Sequence, residues 1–225
     1  MNDKYKISGT SALVWAVITL MAFVLLLVSG SIRGSDLYDI SQGVQAISDQ
    51  VAPLVGGYFA FSWSGAALIF MVVALDGWLF GDSQSYLAKV GAVFGLIAGA
   101  LFLIYGLVGG HGYLDLSYVQ SVRSADYIKD TYLPLTIMSN QILAAALTTF
   151  GAWLVLFNSQ LLRTRLLSPM IAYLGLGAGA IALFGFVMPA GLLGLLSLIF
   201  AILWGFLIGF QLLRSRNLVT SKSIS

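Results

Sequence analysis

Four places in this chain combine residue types that could do chemistry. Asp76, in Ala74-Leu75-Asp76-Gly77-Trp78, is an acid near the end of a long apolar run. An ionisable group inside a membrane helix is by default a functional hypothesis, so Asp76 is a candidate for ion or proton handling. The structural alternative is a pairing with Lys89 or a solvated helix end. Asn140-Gln141 sets two adjacent amides inside another apolar run. Such amides either fasten helices together, at roughly 0.6–2 kcal/mol for each hydrogen bond, or hold the polar group of a ligand. Trp63, in Phe59-Ala60-Phe61-Ser62-Trp63-Ser64, could line a cavity or belong to an aromatic core. Trp63, Asn140 and Gln141 make up the candidate ligand-binding set. His111 and Asp115 stand four apart, the spacing of one helix face. Two ligands without a third do not make a zinc site. No metal site and no catalytic residue is therefore assigned.

The elements that must position these residues are long apolar runs. The 225 residues are 59% hydrophobic and 9% charged, with mean hydropathy +0.95, against roughly 25% charged for a soluble domain. Six runs stand out, at about 10–29, 53–80, 86–108, 134–157, 168–187 and 190–213. About 20 apolar residues in a helix span a hydrocarbon core of ~30 Å. The expected fold is all-α: one integral membrane domain over 1–225, a bundle of six transmembrane helices. Pro134 and Pro169 each suit the first turn of a helix, and Ser168 suits the N-cap before Pro169. Lys4 and Lys6 precede an apolar run from Ser11 to Val28. It is longer than the 7–15 residues usual for a signal-peptide core, so it reads as an uncleaved first span.

Charge sets the expected orientation. One side would hold Lys4, Lys6, Lys89, Arg163, Arg165, Arg214, Arg216 and Lys222, and the other Arg33, Arg123 and Lys129. The positive-inside rule then places both termini in the cytoplasm of a multi-pass cell-membrane protein. Two longer outer connections look helical. Within 35–52, Leu37, Ile40, Val44, Ile47 and Val51 fall on one helical stripe, and 111–132 is rich in Tyr, Leu and Val. Short amphipathic helices are expected in both, and short turns at 81–85 and at Met188-Pro189. Gly95-Leu-Ile-Ala-Gly-Ala100 resembles Gly175-Leu-Gly-Ala-Gly-Ala180 at an offset of 80 residues, which suggests either a parallel repeat or two independently close-packed helices. The spacing of Gly91, Gly95 and Gly99, and of Gly205 and Gly209, permits close helix contact.

Composition also excludes chemistry. There is no cysteine and no glutamate, and one histidine. Disulfides, iron–sulfur clusters, di-iron carboxylate sites and bis-histidine haem need ligands this chain lacks. No cofactor is expected. A net charge of +2 without a basic run gives no sign of nucleic acid. There is no P-loop, HExxH or dinucleotide fingerprint.

The segment Asn158-Ser159-Gln160-Leu-Leu-Arg163-Thr-Arg165-Leu-Leu-Ser168-Pro169, followed by Tyr173-Leu-Gly175, resembles an uncharacterised six-span bacterial and archaeal family, the domain of unknown function 4386. Its members carry a basic residue, a short apolar pair and a proline before a glycine-rich fifth span. The likeness runs over about 133–210. Members also carry an arginine within the third span, where this chain has Ala88-Lys89-Val90-Gly91. The resemblance implies the six-span layout and no chemistry, since the family has no assigned activity.

The functional expectation is an integral membrane protein without a catalytic centre, a structural or accessory subunit that packs with itself or with a partner membrane protein in the lipid bilayer. The alternative is binding or transport of a small apolar or amphipathic ligand within the bundle.

Overall fold

A computed structural model describes residues 2–29, 47, 49–80, 86–120, 122–184 and 192–222. The described elements are helices: α1 (Asn2–Val28), α2 (Val51–Val72, continued by a wider π turn over Val73–Phe80), α3 (Tyr86–Val119), α4 (Ala125–Thr164), α5 (Pro169–Phe184) and α6 (Leu192–Lys222). An apolar chain leaves its backbone polar groups no water to bond to, so it satisfies them within helices. Among the described residues five stretches are long and apolar enough to cross a membrane: Asp3–Val28, Val51–Gly77, Tyr86–Val119, Asp126–Thr164 and Leu193–Arg214. The sixth, Pro169–Phe184, is apolar but has 16 described residues. The expected stripe at 35–52 and the turns at 81–85 and 188–189 fall largely or wholly outside the described residues.

Two boundaries differ from expectation. Pro134 does not open α4 but lies inside it. The helix starts at Ala125, capped by Ser124, whose Oγ accepts from the Tyr127 N–H at 3.3 Å. Proline removes one backbone hydrogen bond, and Pro134 is exposed near one end of the bundle. The connection expected at 111–132 therefore holds no separate amphipathic helix. α3 and α4 each run on past their apolar stretches and leave only 120–124 between them. At the other end of α4 the left-handed Arg165 (φ 51°) caps the helix by donating its N–H to the Leu161 carbonyl at 3.0 Å. α5 then begins at Pro169, as the Ser-Pro pair predicts.

The helices form a closed ring in chain order. Each packs on the next, and α6 packs on α1. Three of these six interfaces are backbone-to-backbone crossings at glycine pairs. A Cβ on Gly9 would stand 2.9 Å from the Gly209 carbonyl oxygen, and one on Gly209 3.0 Å from that of Gly9. The same reciprocity joins Gly65 to Gly99, at 2.5 and 2.9 Å, and Gly151 to Gly179, at 2.7 and 2.9 Å. These crossings join α1 to α6, α2 to α3 and α4 to α5, so every second interface of the ring is closed in this way. No side chain fits between a Cβ and a backbone atom at such distances. The middle of the ring is filled: Trp15, Phe102, Phe150, Trp153, Phe157 and Trp204 are all almost fully buried. Their rings touch in sequence at centroid spacings of 5.5–6.0 Å.

Gly99→Val or Gly151→Val would push two helices apart, and overpacking of this kind typically costs 1–3 kcal/mol. Gly177, whose Cβ would meet nothing within 4 Å, serves as the control. Gly177→Ala should leave stability unchanged or raise it by about 0.5–1 kcal/mol. Thermal unfolding in detergent, followed by circular dichroism, checks both.

Candidate functional site

All six helices contribute to one layer near the end where α1 begins and α6 ends. From α2, Asp76 sits in the π turn and is 2% exposed. π turns insert a residue into the helical ladder and recur at functional sites. Here the turn aims a carboxylate inward. Asp76 Oδ2 accepts from the Trp153 indole N–H of α4 at 2.8 Å. The Trp153 ring meets the edge of the Trp204 ring of α6, with centroids 5.8 Å apart and planes at 88°. The Trp204 indole N–H donates to Asn158 Oδ1 at 3.0 Å, and Asn158 Nδ2 donates to the Leu154 carbonyl at 2.8 Å. From α1, the Ser8 hydroxyl donates to the Ala74 carbonyl in the π turn at 2.9 Å. α3 and α5 supply room. A Cβ on Gly95 would stand 2.9 Å from the Trp153 ring, and one on Gly175 would collide with the Asn158 amide. The two glycines that head the similar Gly-rich motifs thus both accommodate polar members of this layer.

Among the described residues of the layer Asp76 is the one titratable group; the other polar members are indole, amide and hydroxyl. Lys89 is exposed and forms no ion pair with Asp76. The expected pairing of Asp76 with Lys89 is therefore replaced by the hydrogen bond to Trp153, because the π turn directs the carboxylate into the bundle.

The remaining candidates lie elsewhere. Trp63 is 69% exposed, on the outer surface of α2. Gln141 is exposed and Asn140 half-buried on α4. α3 stands between α2 and α4 in the ring. The three residues do not converge on an interior site: Trp63 and Gln141 face outward, and half-buried Asn140 is separated from Trp63 by α3. His111 and Asp115 are both exposed on α3, and the His111 ring packs edge-on against Phe59 at 5.2 Å. Among the described residues no three His, Asp or Glu side chains gather as metal ligands.

Two groupings escaped the sequence. Nothing in the sequence marks Trp153, Asn158 and Trp204 as a group, since only packing joins them to Asp76. At the opposite end Tyr58 of α2, Tyr105 and Tyr113 of α3 and Tyr132 of α4 form a buried cluster with centroid spacings of 5.1–5.9 Å. The Tyr113 hydroxyl lies 3.0 Å from Thr136 Oγ1. No spacing in the sequence marks that cluster, because its members come from three helices.

Compared with protein-family models, curated proteins and solved structures, the chain matches none.

The Trp204–Asn158 bond lends itself to a double-mutant cycle. Trp204→Phe or Asn158→Leu alone leaves a buried polar group without its partner, which typically costs 1–3 kcal/mol. The double variant should be less destabilised than the sum of the two, with a coupling of about 0.5–3 kcal/mol. Unfolding titrations of the four proteins measure it.

Proposed function

We propose that this protein is a six-span integral membrane protein with both termini in the cytoplasm, and that it serves as a structural or accessory subunit packing against a second membrane protein or a second copy of itself. Kinship with the domain of unknown function 4386 belongs to the same proposal. The observation that carries it is the position of Trp63. This residue lies midway along Val51–Gly77 and next to Ser64, whose hydroxyl bonds to that of Thr19 at 2.6 Å deep in the bundle. Tryptophan favours the membrane interface, where its N–H finds water or headgroups. At mid-depth, facing hydrocarbon, that N–H has no acceptor, and none of the described residues supplies one. Gln141 presents the same mismatch on α4, as an exposed amide without a partner among the described residues within an apolar helix. A protein surface offers what lipid tails lack. The filled centre of the ring supports the same reading, since it leaves the outside of the bundle as the surface open to a partner.

Orientation follows from charge. Gly9 of α1 packs on Gly209 of α6, so both ends of the chain lie at one end of the bundle. There Lys4, Lys6, Lys89, Arg163, Arg165 and Arg214 are all exposed. The other end exposes Asp49, Asp115, Asp126 and Asp130 alongside Arg123 and Lys129.

Native mass spectrometry of the mildly solubilised protein is the test. The expected result is a stoichiometric complex, homomeric or with a partner, that dissociates more readily for Trp63→Leu combined with Gln141→Leu. A wild-type protein that is strictly monomeric and carries no other protein would refute the proposal.

A further inference from the structure

A groove of about 460 Å³ runs along the outer surface between the start of α1 and the adjoining part of α2. That volume lies within the range of sites that hold a discrete small ligand. Its lining is graded along the helix axis. Asp3 and Lys6 stand at the outer rim, Thr10 comes next, and Val14, Ala67 and Phe70 form the deep apolar part. Asp3 and Lys6 are exposed, and neither has an ion-pair partner among the described residues. The apolar run of α1 begins near Thr10. Lys6 and Asp3 therefore lie roughly 6 and 10 Å beyond the start of the hydrocarbon, at 1.5 Å per residue. Lys6 is thus within the headgroup layer, which adds roughly 5–8 Å on each side of the core, and Asp3 is at its outer, aqueous edge.

We propose that this groove binds one zwitterionic phospholipid of the phosphatidylethanolamine class. Charge order carries the assignment. In such a lipid the phosphate is tied to the glycerol, and the ammonium lies beyond it at the end of the headgroup. Lys6, the deeper of the two charged residues, faces the phosphate. Asp3, one helical turn further out, faces the ammonium. The Thr10 hydroxyl lies at the level of the ester oxygens, and an acyl chain runs over Val14, Ala67 and Phe70. An anionic lipid without the ammonium would satisfy Lys6 but set its headgroup against the Asp3 carboxylate. The groove contains neither Trp63 nor Gln141, but Ala67 and Phe70 follow Trp63 at i+4 and i+7 on one face of α2, so the test is read at Asp3 and Lys6 of α1, which the partner reading does not use.

The test is lipid retention by native mass spectrometry, with the full-length protein released from nanodiscs of equal parts phosphatidylethanolamine and phosphatidylglycerol. Wild type should keep a single phosphatidylethanolamine in preference to phosphatidylglycerol by about fivefold, the scale of one exposed charge interaction. The charge-swapped variant Asp3→Lys with Lys6→Asp, which alters only exposed positions, should lose the preference. Ala67→Trp, which fills the groove, should lose the bound lipid altogether. Equal retention of the two lipids, a preference that survives the swap, or a series of unselective adducts (annular lipid only) would each overturn the proposal.

Discussion

Backbone contact at three glycine pairs is the constraint on which the rest of this structure depends. In a bilayer, lipid tails are as apolar as leucine, so helices gain little from exchanging lipid for one another. Association then rests on close approach, which brings dispersion and weak polar contacts into range. Gly9–Gly209, Gly65–Gly99 and Gly151–Gly179 supply that approach at alternate interfaces of the ring. The remaining interfaces can then be built from large side chains. The crossing of α1 on α6 also brings the first and last helices together and closes the ring.

Closure creates an interior, and the interior has to be filled. Tryptophan and phenylalanine fill it, but three of the rings are tryptophans and bring N–H groups into a dry space. Two of these are matched by acceptors. Asp76 serves Trp153 and Asn158 serves Trp204. The π turn that carries Asp76 is the means by which α2 delivers an acceptor to α4. Gly95 and Gly175 complete the arrangement by leaving space for the partners, which ties the glycine pattern and the polar layer into one solution.

The outer surface follows a different logic. Most of it is aliphatic and suits lipid. Trp63 and Gln141 depart from that rule at mid-depth, and Asp3 and Lys6 depart from it at headgroup depth. Under the two proposals, the first departure is met by a protein surface and the second by a polar headgroup. Both lie away from the filled centre.

By itself the sequence determined the helices and their polarity. Hydrophobic length is a local property, and it marked the helical runs; the basic residues around them marked one end of the bundle. The Ser168-Pro169 start of α5 was equally legible, because capping involves neighbours in the chain. Pro134 was not, since whether a proline opens a helix or interrupts one depends on what stabilises the residues before it. Here Ser124 caps a helix that already includes Asp126 and Ile128. Tertiary structure alone decided which polar residues face inward. Asp76 looked interfacial and is buried; Trp63 looked central and faces out; Asn158, just past the end of the 134–157 run, lies in the core. The reason is geometric. In an amphipathic soluble helix the polar stripe names the outside, whereas helices that are apolar all round carry no such label. Their rotation is set by where the glycines let a neighbour approach, and that is known only once the partners are in place.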